Sequence, residues 1–282
     1  MKAKKFLFST GLALSAVVGV SSAAQAATFT TDFNPDSPNP KQNIFLNSIT
    51  LDTVPPGINP VATFGTNLFT VSQVDIKANK GAGLGGGGAD NGDEASAPAG
   101  GPKDNLALTD GSLAAAYLGN NNLNNIIDTE DDGFFTFEVT FDDAVASLPN
   151  QLGGFAFFER GGNSDIKIEA FDADGTTVIG SFFLTRNLWK DAGYSIDTTE
   201  VGGAQSVGSY LVTLEDLGLG VGSSVSKIRL IAENGYNGPD FKVFGANFTA
   251  VPTTPEPTTI LGLGSIAALA LVGRRRAKKA SL

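Results

Sequence analysis

The 282-residue chain has no cysteine, no histidine, one methionine, one tryptophan and four tyrosines. Without cysteine there is no disulfide framework, so stability has to come from packing. Without histidine, a Ser-His-Asp site, a Cys-His site and any histidine-ligated zinc or iron centre are excluded. Positive charge is scarce in the interior. Of the 19 Lys and Arg, eight lie outside residues 27–257, whereas all 29 Asp and Glu lie inside. That segment therefore carries 11 positive and 29 negative side chains, a formal charge of −18. Such a balance disfavours nucleic acid and anionic lipid surfaces as partners and suits a solvated surface or a divalent cation.

Long apolar runs occur only at the two ends. Lys2, Lys4 and Lys5 precede an apolar run from Phe6 to Val20, and small residues follow, with Ala24 and Ala26 in an A-x-A arrangement. Residues 1–26 are expected to be a secretory signal peptide cleaved before Ala27. Residues 258–272 contain no charge, and Arg274, Arg275, Arg276, Lys278 and Lys279 follow Gly273. As a helix this run spans about 22 Å against a hydrocarbon core of about 30 Å, short for a membrane span unless the arginines snorkel. The basic tail is expected to stay inside and to act as a stop, leaving everything before Pro257 outside. The signal peptide demands the same topology.

The order Pro255-Glu256-Pro257, short helix (258–273), arginine cluster resembles the PEP-CTERM sorting signal, the tag carried by substrates of exosortases. The resemblance covers about a tenth of the chain, residues 251–282. It implies that a membrane-embedded exosortase recognises Pro255, Glu256 and Pro257 and cleaves near them. Three interior stretches, 154–163 (GFAFFERGGN), 171–175 (FDADG) and 233–241 (ENGYNGPDF), weakly resemble exosortase-dependent surface proteins. Those proteins have no assigned chemistry, so the likeness implies a surface location and adds no catalytic residue.

Between the ends, apolar residues recur with period two, the mark of half-buried strands. In 134–141, Phe135, Phe137, Val139 and Phe141 share one face, opposite Thr136, Glu138 and Thr140. Ile166, Ile168 and Ala170 oppose Lys167 and Glu169, and Ile228, Leu230 and Ala232 oppose Lys227 and Arg229. Phe244, Ala246 and Phe248 form another inward set, and strands are also expected over 44–51, 68–76, 176–185 and 209–214. Only 110–118 offers about two helical turns. The expected fold for 27–250 is all-β, an antiparallel β-sandwich of jelly-roll type whose core is filled by phenylalanine from both sheets. Asp174-Gly175 suits a two-residue type I′ hairpin turn. Residues 81–102 (GAGLGGGGADNGDEASAPAGGP) are expected to be a flexible Gly-rich loop. The asparagine run 120–125 is expected to be irregular, and 251–257 an extended linker.

Several motifs suggest chemistry. Gly83, Gly85 and Gly88 satisfy a dinucleotide-binding spacing, but no helical pattern follows, so composition explains them better. Asp128, Glu130, Asp131 and Asp132, and separately Asp172 and Asp174, are oxygen clusters of the kind that hold Ca²⁺, although neither completes an EF-hand loop. Glu159 and Glu169, taken as lying on neighbouring strands, are candidate paired carboxylates for glycoside cleavage. Trp189 and Tyr194, in a loop-like stretch, are candidates for stacking on a sugar ring. Asn247-Phe248-Thr249 matches a glycosylation sequon, read as chance inside a strand. Three functions stay open: a non-enzymatic envelope or matrix protein, a polysaccharide-binding module with or without calcium, and a carboxylate-based secreted hydrolase.

Overall fold

The computed structural model describes residues 27–80, 89–90, 108, 110–129, 134–197 and 203–251. The sorting motif, the 258–273 run and its arginines, the signal peptide with Ala24 and Ala26, Glu130, Asp131, Asp132, and Gly83, Gly85 and Gly88 lie outside these residues.

The chain is all-β. Fifteen strands among the described residues are β1 (Phe29–Asn34), β2 (Phe45–Leu51), β3 (Val61–Thr63), β4 (Leu68–Phe69), β5 (Val71–Lys80), β6 (Ala89–Asp90), β7 (Asp128–Thr129), β8 (Phe134–Ala146), β9 (Leu152–Arg160), β10 (Ile166–Phe171), β11 (Val178–Leu184), β12 (Lys190–Ile196), β13 (Gln205–Thr213), β14 (Ser224–Ala232) and β15 (Phe241–Phe248). They pair antiparallel in four sheets: β1-β2-β3, β11-β10-β14-β8-β5, β12-β13-β9-β15-β4 and the short β6-β7.

Alternation placed the faces of the β11-to-β5 sheet correctly. Phe135, Phe137, Val139, Ile166, Ile168, Ala170, Ile228 and Leu230 all enter one core with Phe155, Phe157, Tyr210, Val212, Phe241 and Val243 from the opposing sheet. The opposing sheet departs from a two-layer sandwich. Its other face buries Ala156, Phe158, Leu211, Phe244, Ala246 and Phe248 in a second core against Phe29, Leu46, Ile49 and Ala62 of the N-terminal three-stranded sheet. The architecture is therefore three stacked layers with a middle sheet buried on both faces. This explains why β9 reads as an almost unbroken apolar run, as strands covered on both sides do. Phe244, Ala246 and Phe248 point into this second core. The 190–196 stretch, expected to be loop-like, is strand β12, because Ala192, Tyr194 and Ile196 alternate into that same core.

The one helix among the described residues, α1 (Gly111–Leu118), starts where Asp110 accepts the Ser112 N–H at 2.8 Å, an N-cap. It lies against β5. A Cβ on Gly111 would stand 2.0 Å from the Val74 carbonyl oxygen, so only glycine permits that approach. The β10–β11 hairpin forms as expected but by a longer turn. Asp172 N–H meets Thr177 O, and the Gly175 N–H closes back on Asp172 O, putting glycine (φ +69°) at the fourth position. Two residues of the expected Gly-rich loop, Ala89 and Asp90, pair with Thr129 and Asp128.

The asparagine run is irregular yet buried. Asn122 Oδ1 accepts the N–H groups of Ile44 and Asn124, both at 3.1 Å, and Asn122 Nδ2 donates to Asn43 Oδ1 at 2.8 Å. Asn124 donates to Pro40 O and Gln42 O. These amides supply the hydrogen bonds that strand ladders supply elsewhere, which a buried loop requires.

Candidate functional site

The largest concentration of unusual side chains lies where β9 ends, β15 begins and the 120–129 segment crosses them. Four ionisable groups, Asp128, Glu159, Arg160 and Lys242, and a fifth, Asp240, are almost completely buried there. Arg160 Nε and Nη2 both donate to Asp240 Oδ2, at 2.9 and 2.7 Å, and Nη2 also reaches Asp128 Oδ1 at 3.1 Å. Asp240 Oδ1 accepts the Thr129 N–H at 2.8 Å. Burial pushes the Asp240 carboxyl above its ordinary range, against the lowering pull of Asp128 and Arg160.

Glu159 faces the other side of the same strand and has no solvent exposure. Its Oε2 accepts the Asn163 N–H at 3.2 Å, while Oε1 has no hydrogen-bond partner among the described residues. Burial raises its pKa to about 7, and the bonds from Ser164 and the Gly162, Asn163 and Asp240 backbone only partly oppose this. Lys242 is equally sealed. Its Nζ donates to Tyr117 O at the end of α1 and to Asn120 Oδ1 at 3.1 Å, and stands 5.7 Å from the Phe244 ring centre. Burial depresses its pKa well below the usual lysine value.

A second set of charges covers the solvent face of the β11-to-β5 sheet. Glu169, Arg229, Glu138 and Asp75 stand in cross-strand register. Arg229 bridges Glu138 at 2.8 Å and Glu169 at 3.0 Å, Lys227 reaches Glu138 at 2.6 Å, and Lys167 reaches Glu169 at 2.7 Å. Lys227 and Arg229 both lie 4.8 Å over the Phe171 ring. Opposite charges directly across strands stabilise a sheet, so this ladder has a structural task.

The sequence candidates land apart from one another. Glu159 and Glu169 are in different sheets, one sealed between layers and one in the solvent-side ladder, so they do not form a carboxylate pair. Alternation does not distinguish neighbouring strands of one sheet from successive strands that cross between layers. Tyr194 is buried between Phe33 and Phe158, so it offers no stacking surface. Trp189 is half-buried and spends its Nε1–H on Ser164 O at 2.8 Å. Asp128 turns inward onto Arg160. Asp172 caps its own hairpin by accepting the Thr176 and Thr177 N–H groups, and Asp174 is exposed beside it. Among the described residues, no three acidic side chains converge on a point that suits a metal ion. The burial of Arg160, Asp240 and Lys242 gave no sequence signal, since these residue types are mostly exposed.

No family model matches the chain, and no curated protein or solved structure is similar to it. Its class is an all-β protein of stacked antiparallel sheets, with its buried ionisable groups turned into the fold. Among the described residues no helix is long and apolar enough to cross a membrane.

Proposed function

We propose that the chain is a non-enzymatic exported protein of the cell envelope or extracellular matrix, sorted and processed by an exosortase through Pro255-Glu256-Pro257. The observation that carries this is the position of the two terminal signals around the fold. Ala27 is tied into the fold, its carbonyl accepting the Leu211 N–H at 3.3 Å, and so is Val251, whose N–H reaches Gly57 O at 2.9 Å. Cleavage after Ala26 and near Glu256 would leave both contacts intact. The reading as a structural rather than a catalytic protein is supported by the spent chemistry: Asp128, Asp240, Glu138 and Glu169 are committed to ion pairs, and Glu159 is sealed from solvent. The two five-stranded sheets are a jelly-roll-like sandwich with an added layer, supported by the way β8, β9 and β10, and later β13, β14 and β15, alternate between the sheets.

Glu256 sits between prolines that fix φ near −65° and remove backbone donors, which keeps the unit extended for a protease groove. Full-length chain is expressed in a bacterium with an exosortase. Glu256→Ala should leave export intact and trap an unprocessed membrane form. Changing Arg274, Arg275 and Arg276 together to Ser should release unprocessed protein. A Glu256→Ala chain processed at the wild-type rate would replace the sorting proposal by a plain tail anchor.

A further inference from the structure

The long edges of the five-stranded sheets are not protected alike. β5 is backed by α1, with Gly111 and Gly119 set against the carbonyls of Val74 and Val71. β12 begins with the exposed charges Lys190 and Asp191. β4 is only two residues long. β11 (VIGSFFL) has no charge and no proline, and Val178, Ile179 and Phe183 are 41%, 42% and 44% exposed. None of its backbone groups bonds to a described residue outside β10. Native edges are ordinarily blunted by lysine, proline or a covering element.

We propose that β11 pairs with β11 of a second copy, antiparallel about a two-fold axis at Ser181, joining two five-stranded sheets into one of ten. The occupant follows from the strand's self-complementarity. Ser181 and Phe183 share the solvent face with Glu169 and Lys167, their partners on β10, while Gly180 and Phe182 share the core face with Ala170 and Ile168. About Ser181, Ile179 of one copy falls opposite Phe183 of the other, a β-branched and aromatic pair that stabilises neighbouring strands. On the core face Gly180 falls opposite Phe182; Gly180 is backed by the Leu217 carbonyl and Leu219 of its own copy, and the Phe182 ring stacks on Tyr210 at 6.0 Å. The bulge between Ala170 and Phe171 ends regular pairing at Ile179, so the ladder runs over 179–183.

Charge points to the same partner. The hairpin tip bears Asp172 and Asp174, while beyond the far end of the strand Arg186 is held by Asp165 at 2.7 Å and Lys190 is exposed. Antiparallel pairing sets the acidic tip of each copy toward Lys190 of the other, twice by symmetry. The contact is isologous and closes as a dimer, not a fibre.

The absence of cysteine permits a direct test on the full chain. Ser181→Cys places two thiols at the axis, where paired strands bring Cα atoms within disulfide range. Mild oxidation in cells should give a covalent dimer on a non-reducing gel, and Val221→Cys, on a loop 68% exposed, should give little. In sedimentation the wild type should be a dimer, and Ser181→Lys, which sets two ammonium groups on the axis, should be a monomer with an unchanged circular dichroism spectrum and a melting temperature that no longer rises with protein concentration. Phe183→Ser should weaken the dimer in the same direction. A wild-type monomer at every concentration, a dimer untouched by Ser181→Lys, or Ser181→Cys that links no faster than Val221→Cys would overturn the proposal. Cross-linking of Ser181→Cys only to another protein would overturn it in favour of that partner.

Discussion

Arg160 holds Asp240 by two hydrogen bonds to a single oxygen, Nε at 2.9 Å and Nη2 at 2.7 Å from Oδ2. The pair joins the last residue of β9 to the residue before β15, and through Asp128 it also fastens β7. A buried ion pair brings little net stability, but removing one partner strands the other in a dry site.

Arg160→Met should therefore cost about 3–5 kcal/mol, since it leaves two buried carboxylates without their cation. Asp240→Asn should cost less, because Asp128 still faces Arg160. Urea unfolding of both variants gives the comparison. Equal loss in the two would mean that Arg160 serves Asp240 alone.

Glu159 should make the protein more stable in mild acid than in mild base. Its folded pKa, about 7, lies above the ordinary 4.5, so the folded state binds the proton more tightly. Stability from this group is full below pH 4.5, falls as pH rises, and levels off above about 7. The shift corresponds to roughly 3 kcal/mol. Glu159→Gln should remove that slope and be the more stable form at pH 8. A wild-type melting temperature that is flat from pH 5 to 8, or a variant with the same slope, would refute it.

Lys242 carries the opposite sign at the alkaline end. Its folded pKa is depressed well below the usual 10.5, so between that lower value and 10.5 unfolding takes up a proton. Stability should rise with pH until the unfolded lysine titrates, near 10.5. Lys242→Met keeps the volume and deletes the amine, so its melting temperature should lack that rise. Circular dichroism melts from pH 7 to 10.5 would show it.

Glu138 governs the acid limb. Burial raises its pKa, but hydrogen bonds from Lys227 and Arg229, with the charges of Lys227 and Lys77, leave it below the ordinary 4.5. Its contribution is present above pH 4.5 and is lost as pH falls through the lower folded value. Glu138→Gln should flatten the fall in stability below pH 4.5, and it should reduce the weakening by salt at neutral pH, because screening acts on the same pairs. An unaltered acid limb in the variant would remove Glu138 from the account.

Much of the outer architecture was legible along the chain. A strand turns successive side chains to opposite faces, so Phe135, Phe137 and Val139 had to share a side wherever the strand lay. The two helical turns expected over 110–118 formed as α1, and the structure adds that the Asp110 side-chain oxygen satisfies a bare helix N–H there. The proposed terminal signals are local readings too, resting on residue type, order and length within some 30 positions. What tertiary structure decided is what depends on partners far along the chain. Arg160 meets Asp240 across 80 positions and Lys242 meets Tyr117 across 125. Alternation does not say how many layers cover a sheet, so Phe244 could be read as inward without showing that a second core received it. Nor does a glutamate or lysine in the sequence disclose burial, because its residue type favours water. Glu159 and Lys242 lost that water only when the strands around them closed, and packing, not residue type, shifted their protons.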